Sequence, residues 1–276
     1  MLFGENPAEG RPECLLGLIV EASPEAAVSA LEAPFRKVVE AVLSLGSAFQ
    51  VCERFGELVI LGALPGRSEV LHASRGGLRP SFAEVREAVA SKLADAAAAD
   101  AAVVGELPRC ATARALGRFL CLAKKRGVAA RAVVLKLDDD VPEQYNAIMN
   151  CIFSAQRHDV VVDACVLSPQ TSVFMKQAVH LTKGVFLHLA NKAGQPDFVV
   201  DLLAVFAPSP QCRRDHLRTP LLEETDFRAA CFCHDPPQVK HTGFVCSVCF
   251  AVYCDPHHRC SCSTPKEQRH HIIHAR

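Results

Sequence analysis

Seven of the fourteen cysteines fall between Cys231 and Cys262, and that crowding restricts what the C-terminal end can fold into more than any other feature of the sequence. The stretch reads Cys231-Phe-Cys233-His234, then Cys246-Ser-Val-Cys249, Cys254 and Cys260-Ser-Cys262. So short a segment buries too little apolar surface to fold by itself, so a bound metal has to supply its folding energy. Close cysteine pairs separated by a loop are the chelating knuckles of a tetrahedral zinc site, and thiolates are soft donors that suit zinc better than hard cations. An iron–sulfur cluster would use the same donors. A disulfide framework would need an oxidising compartment, and Met1 to Pro12 shows neither the basic start nor the apolar run of an export signal. The other seven cysteines (Cys14, Cys52, Cys110, Cys121, Cys151, Cys165 and Cys212) are scattered singly, mostly in apolar surroundings, and read as reduced core residues.

Cys246 and Cys249 have knuckle spacing, and Cys260 and Cys262 follow after a ten-residue loop. These four are the expected ligands of one closed, structural zinc site. Cys231 with Cys233 or His234, together with Cys254, can form a second site or lend a ligand to the first. His257 and His258 are substitutes of lower rank. No open coordination position with an adjacent general base is evident, so catalytic zinc is not expected. His270 and His274 have metal-compatible spacing, but the C-terminal residues read as a frayed tail.

At 276 residues the chain has room for one good-sized domain and a small module. Basic and acidic residues number 30 each, a balance unlike that of a protein whose main task is to grip a phosphate backbone. The last 64 residues, from Arg213, are nearly balanced as well, with nine Lys or Arg against seven Asp or Glu. No apolar run is long enough to span a membrane. Lys124-Lys125-Arg126 reads as the cationic last turn of a helix with Gly127 as its C-cap, rather than as a targeting signal.

Between residues 14 and 206 strand-like and helix-like patterns alternate. Cys14 to Val20 is a continuous apolar run, as a strand covered on both faces requires. Phe35, Val38, Val39, Val42, Leu45 and Phe49 recur at helical spacing. Leu58 to Leu64 and Glu69 to Ala73 flank a Pro65-Gly66-Arg67-Ser68 turn, a hairpin signal. Helices are expected over Ser81 to Ala99 and around Leu116, Phe119, Leu120 and Ala123. Ala130 to Leu137, Val160 to Leu167 and Gly184 to Leu189 read as strands. The stripe Tyr145, Ile148, Met149, Ile152 and Phe153 reads as the core face of a helix, and helices follow at Val173 to Leu181 and Asp197 to Phe206. This order predicts an α/β, mainly parallel sheet with helices on both faces and one antiparallel edge strand. The organisation is then a 1–13 tail, a 14–206 domain, a Pro-rich linker over 207–226, a cysteine-rich zinc module over 227–263 and a 264–276 tail.

Two segments carry a family resemblance. One runs from Gln144-Tyr-Asn-Ala-Ile-Met-Asn150 through Ile152-Phe-Ser-Ala-Gln156 to Asp163-Ala-Cys-Val-Leu167. The other is Asp226-Phe-Arg-Ala-Ala-Cys-Phe-Cys-His234 followed by Gly243-Phe-Val-Cys-Ser-Val-Cys249. Both resemble the 34 kDa von Willebrand A-like subunits of the TFIIH core, the general transcription and DNA repair factor. The resemblance implies a von Willebrand A-like doubly wound fold with a C-terminal zinc-binding module. It also implies a nuclear, non-catalytic role that supports RNA polymerase II initiation and nucleotide excision repair. The implied partner is the larger von Willebrand A/RING subunit among the other core subunits, with no sequence-specific nucleic-acid binding and no membrane.

The sequence departs from the pattern at two places. Von Willebrand A domains often hold magnesium through an Asp-x-Ser-x-Ser motif after the first strand. Here that place reads Glu21-Ala-Ser23-Pro24-Glu25, and Ser168-Pro169 follows the later strand where an Asp is expected. Losing hard oxygen donors weakens magnesium binding sharply, so Glu21, Ser23 and Ser168 are not expected to bind an ion. The family's last pair is a full Cys-x-x-Cys, shortened here to Cys260-Ser-Cys262. Two other function classes compete: a RING-like ubiquitin ligase adaptor, which needs eight ligands in cross-brace order, and a thiol enzyme using Cys165 or Cys151. For the latter two cysteines a buried structural role is the default.

Overall fold

The computed structural model describes residues 13–22, 33–53, 55–74, 83–87, 91–92, 95, 111–190, 195 and 197–217 of an α/β unit. Of a cysteine-rich unit it describes 230–231, 233–234, 238–239, 242–246, 251–255 and 270–274. In chain order the first unit contains β1 (Cys14–Glu21), α1 (Ala33–Cys52), β2 (Gly56–Leu64), β3 (Arg67–Ala73), α2 (Thr112–Arg126) and β4 (Ala129–Lys136). It continues with α3 (Tyr145–Arg157), β5 (Val161–Val166), α4 (Val173–Thr182), β6 (Phe186–His188), α5 (Phe198–Phe206) and α6 (Pro210–His216). The strand order is β3-β2-β1-β4-β5-β6, parallel throughout except for β3. The mainly parallel sheet with a hairpin-built edge strand is therefore as the apolar pattern predicts. The hairpin closes through Pro65 and Gly66 alone, with Gly66 at φ 64°, a left-handed conformation that glycine adopts without steric cost.

Successive strand residues point to opposite faces, and the sheet divides its core accordingly. Leu16, Leu18, Val20, Ile60, Val133 and Leu135 pack beneath α1 and α5, against residues such as Val42, Leu45, Leu202 and Phe206. Leu15, Ile19, Val59, Val134, Val162 and Ala164 pack beneath α2, α3 and α4, against Phe119, Ile148, Ile152, Phe174 and Met175. Gly17 belongs to this second face. A Cβ there would stand 2.4 Å from Phe119 ring carbons, so the missing side chain is what lets the ring lie on the central strand. α2 ends at Gly127 in the left-handed conformation (φ 67°), as its cationic last turn suggests, and Arg126 from that turn reaches Glu57 through two hydrogen bonds of 2.7 Å.

Three expectations need correction. Phe153 is 52% exposed while Ile148, Ile152 and Ala155 of the same helix are buried, because the buried face of α3 is narrower than the apolar stripe. Residues 210–216, read as linker, form α6. Pro210 occupies its first turn, and the Ser209 hydroxyl caps it by accepting a 3.2 Å hydrogen bond from the Cys212 N–H. Residues 270–274, read as a frayed tail, form β11 (His270–His274), paired antiparallel with Thr242–Cys246. Of the helix expected over 81–99, residues 83–87, 91–92 and 95 are described and helical, with Val85 buried.

α6 is fixed to the sheet by charge. Arg213 donates to both oxygens of Asp163, at 3.0 and 2.7 Å, and both residues are buried. Asp163 also accepts the Val185 N–H at 2.7 Å, and Arg131 Nε lies 3.7 Å away. Arg131 spends its other nitrogens on the Phe206 and Pro208 carbonyls at the end of α5. Removing one member of a buried ion pair leaves its partners as uncompensated charges. Asp163→Ala is therefore expected to lower the unfolding free energy by about 3–5 kcal/mol, measured by urea denaturation. A loss no larger than that from breaking the exposed Arg36–Glu40 pair would show that Asp163 does not anchor α6.

Candidate functional site

β1 and β4 are adjacent, and β2 lies on the far side of β1. Their C-terminal ends thus form the switch point at which doubly wound sheets hold ligands. Glu21 ends β1 there and is 1% exposed. Its carboxylate accepts hydrogen bonds from the Thr112 hydroxyl, from Lys136 Nζ at 3.2 Å, and from the Leu137 and Asp138 N–H groups at 2.8 and 2.9 Å. Lys136, 3% exposed, also lies 3.5 Å from Asp140 Oδ1. Asp140 accepts from the Ser172 hydroxyl at 2.7 Å and the Phe174 N–H at 3.1 Å, and Ser172 caps α4 through the Met175 N–H.

Burial by itself would lower the Lys136 pKa, but Glu21 and then Asp140 more than reverse that, and the ammonium stays charged above its ordinary range. For Asp140, burial prevails over Lys136 and the two hydrogen bonds, and its pKa is raised. Ser168 turns its hydroxyl to the Gln170 carbonyl (2.7 Å), and its own carbonyl contacts His188 Nε2 (3.0 Å). Ser23 lies outside the described residues. At the place of the von Willebrand A magnesium motif, Glu21 is therefore engaged by a lysine. Thr112, Lys136, Asp140 and Ser172 were missed from sequence. The available signal was a lysine ending a run of four apolar residues, one residue before Asp138-Asp139-Asp140.

The two candidate nucleophiles are in environments that oppose thiolate formation. Burial, assisted by the negative charge of Asp201, pushes the Cys165 thiol up to about 12. The Cys151 thiol donates to the Ala113 carbonyl at 3.2 Å and is raised first by burial, then by Cys121. A reactive thiol needs shifts of the opposite sign. Brief iodoacetamide treatment of the native protein near neutral pH is expected to label the exposed Cys52 and Cys121 and to spare Cys165. Peptide mass spectrometry checks this, and Cys165 labelling at the rate of Cys121 would restore the thiol-enzyme reading.

The cysteine-rich unit contains β7 (Ala230–Cys231), β8 (Gln238–Val239), β9 (Thr242–Cys246), β10 (Val252–Tyr253) and β11, in the order β11-β9-β10-β7-β8. β7 and β10 run parallel with Cys231 opposite Val252, which brings Cys254 beside the Cys231-Phe-Cys233-His234 segment. A sulfur of Cys231, a ring nitrogen of His234 and the sulfur of Cys254 lie within 4.8 Å of one another, and His234 Nε2 is 3.4 Å from Cys254 Sγ. Cys231 Sγ accepts the Cys233 N–H at 3.5 Å. Burial raises the Cys231 thiol to about 11. It also opposes ionisation of Cys233, but the Cys254 and Asp255 N–H groups that point at its sulfur lead a set of hydrogen bonds that lowers its pKa overall.

Soft sulfur donors and an imidazole, with backbone N–H groups aimed at sulfur, make a set that can hold a metal ion of the zinc type. Cys246 is buried in β9 and packs with Ala251, Tyr253 and Cys233. Cys249, Cys260, Cys262, His257 and His258 lie outside the described residues. The structure thus brings together Cys231, His234 and Cys254, the residues that sequence spacing ranked second.

Comparison with known proteins bears on both units. The family model for Transcription factor Tfb4 matches residues 13–265. The "General transcription factor IIH subunit 3" of Dictyostelium discoideum is 38% identical over 142 residues, which is 50% of this chain and 35% of that protein. The "General transcription and DNA repair factor IIH subunit tfb4" of Schizosaccharomyces pombe is 36% identical over 151 residues, 55% of this chain and 48% of that protein. The chain spans about half or less of the length of these curated relatives. The crystal structure of the TFIIH p34 N-terminal domain superposes with a TM-score of 0.55 at 20% identity, covering 70% of this chain and 97% of that one. A von Willebrand factor type A protein from Catenulispora acidiphila superposes with 0.51 at 11% identity, covering 71% and 43%. These likenesses show a von Willebrand A fold. The family model spans both the α/β sheet and the cysteine-rich unit, and the chain belongs to the Transcription factor Tfb4 family.

Proposed function

We infer that the chain is a non-catalytic structural subunit of the TFIIH core, acting in the nucleus in RNA polymerase II initiation and nucleotide excision repair. The observation that carries this reading is the family match over residues 13–265, in a chain whose Glu21 and Asp140 at the sheet end are engaged by its own Lys136. The relatives' names place those proteins in transcription and DNA repair. The proposed partner is the larger von Willebrand A/RING subunit, bound mainly by the α/β unit. Permanent hetero-complexes usually bury more than roughly 2,000 Å² around an apolar centre. Exposed apolar side chains such as Phe153 and Val200 are available to such an interface. Co-purification with the larger subunit tests the reading. Failure to pair, or ubiquitin transfer abolished by one Cys→Ser change, would favour the RING-like adaptor instead.

The cysteine-rich unit holds structural zinc in this reading. Cys231, His234 and Cys254, supported by their convergence, supply one set with Cys233 as its fourth donor. Cys246, Cys249, Cys260 and Cys262 supply the other, supported by their spacing. Native mass spectrometry is expected to count two zinc ions per chain. Cys254→Ser should remove one and Cys249→Ser the other, while the α/β unit keeps its unfolding transition. A single ion lost in both variants would merge the two sets into one site, and a metal-free chain would end the zinc reading.

A further inference from the structure

We propose that Lys136 is a tethered cation that stands where a von Willebrand A crevice would hold a divalent ion, and that it makes this end of the sheet independent of dissolved metal. The structural argument begins with position. Nζ lies between two buried carboxylates from different segments, 3.2 Å from Glu21 Oε1 and 3.5 Å from Asp140 Oδ1. The hydroxyls of Thr112 and Ser172 sit on the same two carboxylates. Two buried carboxylates thus converge on one cation, with hydroxyl oxygens beside them, and carboxylates and hydroxyls are the hard oxygen donors that calcium or magnesium takes, except that the cation is covalently part of β4.

The charges agree with that reading. Without Lys136, Glu21 and Asp140 would be two like charges taken out of water, which neither could tolerate in the ionised form. The lysine supplies one positive charge at Glu21 Oε1 and Asp140 Oδ1, and the Leu137, Asp138 and Phe174 N–H groups supply fixed dipoles toward the other oxygen of each carboxylate. A diffusing ion has to shed water before it binds. The ammonium is carried in by the strand and leaves no coordination position open. A partner's carboxylate therefore cannot be bridged to this crevice through a metal, and any docking here uses the protein's own surface.

The prediction is that the donor set persists and selects a free cation once the tethered one is cut back. Lys136→Ala opens the ammonium's place. Manganese chloride alone is expected to raise the melting temperature of this variant saturably between micromolar and millimolar concentrations, as linkage requires of an ion specific to the folded state. Bound Mn²⁺ should appear by electron paramagnetic resonance at one ion beyond any retained by the wild type. Lys136→Met refills the space without charge and should show no such response, and neither should the wild type. If Lys136→Ala is recovered only when refolded with Mn²⁺, the proposal also stands. It is overturned if Lys136→Ala folds and takes up no additional ion, if it stays insoluble with and without Mn²⁺, or if the wild type shows the saturable rise.

Discussion

A charge inside a sheet covered on both faces must be matched by another charge, and the arrangement of this α/β unit depends on that constraint at Asp163. The carboxylate is fully buried and meets two guanidiniums, one from β4 and one from α6, together with the Val185 N–H. One pairing therefore joins three consecutive requirements. It neutralises Asp163 in β5, it seats Arg131 against the terminal carbonyls of α5, and it pulls α6 onto the N-terminal edge of the sheet. Hydrophobic burial would press the same helices onto the same faces, but it is non-directional. The two-pronged fork of Arg213 on the Asp163 carboxylate is directional, and it specifies which segment closes that edge.

β4 carries a second buried cation at its other end. Arg131 and Lys136 lie five residues apart in a strand whose intervening residues are all buried and apolar. Each end of the strand thus closes on an ion network, Asp163 and Arg213 at one and Glu21 and Asp140 at the other. Such networks contribute little net stability compared with apolar replacements of similar volume. Their effect is on uniqueness: a one-residue slip of β4 would move both cations to the opposite faces of the sheet.

The sheet was legible in the sequence because burial on both faces leaves long apolar runs and buried helix faces leave a 3.6-residue period. The mainly parallel sheet and its antiparallel edge hairpin follow from those runs and from the Pro65-Gly66 turn, whereas the strand order is set by long-range pairing. Phe153 was misread because period alone reports that a residue is apolar and not how far a neighbouring element extends over it. α6 was misread because Pro208 and Pro210 suggest a linker, although Ser209 followed by Pro210 is also a helix-start signature. The buried networks at the ends of β4 were illegible for a different reason: their members are up to 119 positions apart in sequence, as for Glu21 and Asp140. In the cysteine-rich unit, close spacing identified the chemistry. The grouping of Cys231, His234 and Cys254 depends on the parallel pairing of β7 with β10, which no local spacing encodes.

The clamp on α6 changes where the chain leaves the α/β body. Without it the departure point would be Phe206, 24 residues before Ala230, and a fully extended connection would reach about 80 Å. With α6 held, the chain is fixed to the sheet as far as about Leu217, 13 residues before Ala230, and the extended limit falls to about 45 Å. The local concentration that two joined modules experience falls with roughly the three-halves power of connector length. A shorter span between two joined modules therefore raises the local concentration that each experiences from the other. A single arginine beneath the sheet thus sets an upper limit on how far the start of the cysteine-rich unit can stand from the α/β unit.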